Sequence, residues 1–93
     1  MAFLVRELPS AKDQLAALWL AADSPGRRAI TAASHRIIMA LSRADAGPVG
    51  VPNPIGRLPT ARRIDDGPLA AIFVVFPHRR DVLVMDYLSS TAP

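Results

Sequence analysis

The chain has 93 residues, 51% of them hydrophobic and 20% charged, which is too apolar for a disordered tail and enough for one domain, residues 1–93, around a modest core. It contains no cysteine, which excludes a disulfide framework and a thiolate zinc site. Net charge is +3 with a sequence pI near 10.6, and nearly all of the positive charge is arginine, whose planar fork suits phosphate and carboxylate partners.

The first residues, MAFLVRE, lack the apolar stretch and cleavage site of a secretory signal. The longest apolar run, Pro68 to Phe76, falls well short of the roughly 18 to 20 residues that span a bilayer. A cytoplasmic protein with no membrane partner is expected.

Phe3 to Glu7 reads as a first strand, closed by Leu8 and Pro9. Ser10 three residues before Asp13 approximates a capping box, and Leu15, Leu18, Trp19 and Ala22 follow at helical spacing. Asp23, Ser24, Pro25 and Gly26 interrupt this helix, and Ser24 before Pro25 marks a second start. On that second helix, running to about Ala44, Ile30, Ala33, Ser34, Ile37, Ile38 and Leu41 share one face, and Arg28, Thr31, His35, Met39, Ser42 and Arg43 the other. Arg27 and Arg28 fall in its first turn, where the macrodipole disfavours cations, so solvent or an anionic partner must offset a small penalty.

Glycines and prolines make Asp45 to Pro59 a loop. Leu58 to Ile64 is a strand candidate, and Asp65 to Pro68 are turn formers. Leu69 to Phe76, LAAIFVVF, is continuously apolar, as in a central strand covered on both faces. After a turn at Pro77 to Asp81, Val82, Val84, Asp86 and Leu88 alternate with Leu83, Met85 and Tyr87 in a last strand. Trp19 and Phe73 fit core positions. The order is β-α-α-β-β-β, an α+β class with an antiparallel sheet and a helical hairpin on one face.

That order, the hairpin phrase KDQLAALWLAADSPGRRAITAASHRI and the final phrase GPLAAIFVVFPHRRDVLVMDYL resemble the RelE/ParE superfamily of toxins from type II toxin-antitoxin systems. The resemblance implies a toxin neutralised by a cognate antitoxin segment that covers a basic groove. It implies one of two targets: messenger RNA cleaved on the ribosome, or DNA gyrase inhibited by binding. In the ribonuclease branch an arginine soon after the turn holds the scissile phosphate, and the matching position here is Ala70. Tyr87 matches the histidine or tyrosine that helps the chemistry near the end of the last strand.

Alongside Tyr87, the catalytic candidates are His78, an imidazole beside Arg79 that can act as acid or base, and Arg63. Arg57, Arg62, Arg63, Arg79 and Arg80, drawn from three adjacent elements, form the candidate surface for a partner protein or nucleic acid. The two histidines have no metal-ligand spacing, and Gly47 to Gly56 lacks the lysine and hydroxyl residue of a phosphate loop. No metal or cofactor is expected. The rival reading, given the alanine at position 70, is a non-catalytic toxin-fold module that binds a protein or nucleic acid.

Overall fold

The computed structural model describes residues 3–43, 49–54 and 59–91. Its elements are β1 (Leu4–Glu7), α1 (Pro9–Ala21), α2 (Ser24–Ser42), β2 (Val51–Pro52), β3 (Arg62–Asp66), β4 (Leu69–Phe76) and β5 (Asp81–Ser89). The strands form one sheet in the order β1-β5-β4-β3-β2. Both helices pack on the same side, α1 chiefly against β5 and α2 across β1, β3 and β4. No helix among the described residues is long and apolar enough to cross a membrane.

Helix α1 begins one residue before the expected serine. Leu8 is its extended N-cap, Pro9 occupies the first turn, and no side chain caps it, so the Ser10 and Asp13 box does not form. Proline's preset φ suits that first position, and its missing N–H removes one donor that would otherwise need an acceptor there. In α2 the cap is Asp23 rather than Ser24, its Oδ1 accepting the Gly26 N–H at 2.8 Å.

Arg27 turns back onto the end of α1. Its Nε donates to the Trp19 carbonyl at 3.0 Å and its Nη2 to the Leu20 carbonyl at 3.1 Å, while the guanidinium carbon lies 4.5 Å from the Trp19 ring centroid. The penalty expected for Arg27 at the start of α2 is therefore offset by the negative end of α1 and its last-turn carbonyls. Trp19 does not join the core: it is 38% exposed, because the α1 residues facing the sheet are Ala11, Leu15 and Leu18.

The core lies between helices and sheet. Ala33, Ile37 and Leu41 of α2 meet Leu69, Ala71 and Phe73 of β4 and Val82, Val84 and Tyr87 of β5. On the opposite face Ala61, Ile72 and Val74 pack with Met85 and Leu88. Leu69 to Val74 are buried without a break, as a strand with apolar groups on both faces requires.

Three details differ from the expectation. First, Asp65 and Asp66 lie inside β3, and the turn is Gly67 and Pro68 alone, with Gly67 at φ +55° and Asp66 opposite Leu69. Both acids are accommodated because each meets a guanidinium: Arg63 Nε to Asp65 Oδ1 at 2.8 Å, and Arg36 Nη2 to Asp66 Oδ1 at 2.6 Å. Second, the alternation in β5 breaks at a bulge, where Ile72 pairs with Asp86 but Phe73 with Val84. The extra residue changes the phase, so Tyr87 joins Val82 and Val84 on the helix side instead of opposing them.

Third, the sheet is mixed. The segment expected to be wholly loop contains β2, which pairs antiparallel with β3. The Ser42 carbonyl at the end of α2 accepts the Phe3 N–H at the start of β1, so the helices return the chain to that end of the sheet. Strand β3 then runs with β1, and β4 and β5 each reverse, which leaves β1 and β5 with one direction. They run parallel, Leu4 opposite Asp81 and Glu7 opposite Val84.

Candidate functional site

The candidate arginines have distinct environments. Arg62 donates from Nε to the Val49 carbonyl and from Nη2 to the Gly50 carbonyl, both at 2.7 Å. It shares the helix side of β3 with Asp66, whose carboxylate meets Arg36 of α2. Arg63 lies on the other face, bonded to Asp65 and to the Ser90 carbonyl at 3.2 Å. Arg79 Nη2 is 3.1 Å from Asp81 Oδ2, and Arg80 and His78 are exposed in the β4–β5 turn. Arg57 lies outside the described residues.

Arg62 thus holds the chain entering β2. Arg62→Ala is expected to lose about 0.5–1.5 kcal/mol, since one part-buried and one exposed carbonyl lose their donor. Hydrogen exchange should report the loss as faster exchange at residues 49–53, with β4 still protected.

The three catalytic candidates fall in three places. Arg63 stands opposite Ile72 on the face away from the helices. His78 lies beyond the end of β4, and Tyr87 stands opposite Ala71 on the helix side. Ala70, where the sequence resemblance leads one to expect a phosphate-holding arginine, is fully buried.

Three concavities lie along the outer side of the helical hairpin. One of about 510 Å³ is lined by Glu7, Lys12, Leu15, Ala16, Trp19, Leu20, Ile30, Thr31 and Ser34. A second, about 380 Å³, shares Glu7, Leu15 and Ser34 and adds His35, Ile38, Met39 and Tyr87. A third, about 320 Å³, shares Trp19, Thr31 and His35 and adds Arg27, Arg28 and Ala32. Shared residues make them one groove with largely apolar walls. Trp19, Leu20 and Met39 expose apolar surface along it, while Lys12, Arg27, Arg28 and His35 bring basic side chains to it.

At its floor the Tyr87 hydroxyl donates to Glu7 Oε2 at 2.7 Å. Burial, followed by the bond to the Glu7 carboxylate, pushes the Tyr87 phenol far above its ordinary value, so it stays protonated and serves as a donor rather than a base. Gln14 of α1 completes the arrangement: its Oε1 accepts the Tyr87 backbone N–H at 3.0 Å and its Nε2 donates to Asp86 Oδ1 at 2.9 Å. Since β1 pairs with β5 only as far as Val84, this side-chain amide supplies the acceptor that a longer β1 would have offered.

Sequence reasoning passed over Glu7 and Gln14. A signal for Glu7 was present, since it lies two residues beyond core-facing Val5 and shares its side of a strand. Gln14 carried none: its role depends on where β1 stops.

No family model matches the sequence, and no curated protein matches it. Solved structures do. A chain of the toxin-antitoxin complex RelBE2 from Mycobacterium tuberculosis aligns with a TM-score of 0.73 at 18% identity, over 99% of this chain and 95% of that one. A chain of a chromosomal ParDE toxin-antitoxin system from P. aeruginosa aligns with a TM-score of 0.68 at 15% identity, over 94% and 95%. The isolated E. coli RelE toxin aligns with a TM-score of 0.57 at 14% identity, over 99% and 88%. The chain therefore has a RelE/ParE-like toxin fold.

Proposed function

We propose that the chain is a single toxin-like domain of a type II toxin-antitoxin pair, working in the cytoplasm, and that its antitoxin lays an amphipathic, acidic segment into the groove between α1 and α2. The observation that carries this is the pairing of apolar walls with Lys12, Arg27, Arg28 and His35 at one concavity. Apolar anchors at helical spacing fit such a groove, and carboxylates fit its basic side chains. Two of the similar structures are of toxin-antitoxin systems, which supports an antitoxin as the partner.

The target is messenger RNA on the ribosome or DNA gyrase. Ala70 leaves no guanidinium at the expected phosphate, and Tyr87 is held by Glu7 on the helix side. These features favour a chain with little ribonuclease activity, acting by binding. A non-catalytic module of the same fold is the second reading, favoured by the same alanine.

The test is a titration of the antitoxin encoded beside this chain against wild type, Leu20→Glu and Met39→Glu. Leu20 is 66% and Met39 57% exposed, so the fold should tolerate both changes while affinity falls at least about tenfold, or about 1.4 kcal/mol. Wild-type affinity in both variants would remove the antitoxin from the groove. In a ribosome assay we expect little cleavage, and rapid cleavage abolished by Tyr87→Phe would return that residue to a catalytic role. Growth arrest without cleavage would direct the search to gyrase.

A further inference from the structure

We infer that the β4–β5 turn, with Arg6 beside it, is a contact site for the backbone of single-stranded nucleic acid, separate from the helical groove and independent of the antitoxin reading. Arg6 Nη2 lies 2.7 Å and Arg79 Nη2 3.1 Å from the same oxygen, Asp81 Oδ2. Asp81 is only 8% exposed, yet the two arginine side chains are 52% and 62% exposed. One buried carboxylate therefore orients two guanidiniums and leaves most of their surface open. Carboxylates accept at few sites and guanidiniums donate at five, so donors remain for a phosphate.

Arg80 is the second observation. Among the described residues it is the one non-glycine with positive φ, at +54°. Its N–H donates to the Pro77 carbonyl, and its carbonyl accepts the Leu4 N–H at 2.9 Å, tying the turn to β1. Glycine takes this conformation with less strain. The backbone alone would prefer glycine there, so the arginine side chain has a use outside the turn's own geometry.

Phe76 decides the kind of polyanion. It is 36% exposed at the mouth of the same turn, with the Arg79 guanidinium carbon 5.5 Å from its ring centroid. An aromatic ring among guanidiniums serves alternating bases and phosphates, whereas an acidic peptide offers carboxylates without a planar face to stack. Arg6, Arg79 and Arg80 against Asp81 leave two positive charges here, and exposed His78 adds a donor. None of these residues lines the helical groove.

The experiment is fluorescence anisotropy of full-length protein with a labelled single-stranded RNA of about twelve nucleotides, at several salt concentrations. Wild type should bind with a salt slope near −2, from about 0.7 per phosphate contact for three contacts. Arg79→Ala should weaken binding roughly tenfold and flatten the slope by about 0.7. Arg80→Gly should do the same while raising the melting temperature, a combination that a merely structural arginine would not produce. Phe76→Leu should weaken binding with the slope unchanged. Absence of wild-type binding overturns the inference, as does unchanged affinity and slope in Arg79→Ala and Arg80→Gly. Displacement of the RNA by an equal charge concentration of polyglutamate also overturns it, assigning the turn to acidic peptides instead.

Discussion

Phe73→Ala is expected to cost about 3–5 kcal/mol, the range for deleting a large aromatic ring from a close-packed core. Phe73 is fully buried on the central strand, opposite Arg62 on β3 and Val84 on β5, and it belongs to the cluster beneath Ile37 and Leu41. The ring sits between β3 and β5 beneath α2, so closing the cavity requires a strand or a helix to move. Small domains hold about 5–15 kcal/mol in all, so this one deletion brings the chain close to unfolding. Trp19→Ala gives the contrast: a ring 38% exposed beneath a guanidinium should cost about 1–2 kcal/mol, from the cation–ring contact and partial burial. Equilibrium urea unfolding compares the two directly, and equal losses would contradict the placement of either ring.

Tyr87 governs the second large effect. At neutral pH Tyr87→Phe should lose about 1.5–3 kcal/mol, because a part-buried carboxylate is deprived of its donor. The pH dependence has a definite sign. The folded phenol is raised above its ordinary value near 10, so the folded state holds a proton that the unfolded chain releases first. Its stabilisation is complete below about pH 10 and declines as pH rises beyond it. Wild type should therefore lose urea resistance above about pH 10 more steeply than Tyr87→Phe. Tyr87 is the one tyrosine in the chain, so phenolate absorbance follows it alone and should appear only as unfolding proceeds.

The sequence revealed elements wherever a residue's neighbours in the chain decide its state. Ile30, Ala33, Ile37 and Leu41 declare a buried helical stripe, and LAAIFVVF declares a central strand; both are found so. It failed where a distant partner decides. Asp65 and Asp66 look like turn residues until Arg63 and Arg36 neutralise them. Val51 and Pro52 carry no strand signal, and only pairing with β3 makes them one. The phase of β5 turns on a bulge that no alternation pattern contains. Of the site, the exposed basic face of α2 with Arg28 and His35 was legible. The floor made by Glu7, Gln14 and Tyr87 was not, because it joins three segments distant in sequence.

Glu7 and Tyr87 lie 80 residues apart in the chain, and α1 rests chiefly on β5. During synthesis the first strand and α1 therefore emerge long before the strand they pack on, and that contact waits until Asp81 to Ser89 has left the ribosome. The groove acquires its floor at that same late moment. A nascent chain lacking β5 offers the proposed groove partner an incomplete docking site, so full recognition is expected only once translation has passed that strand.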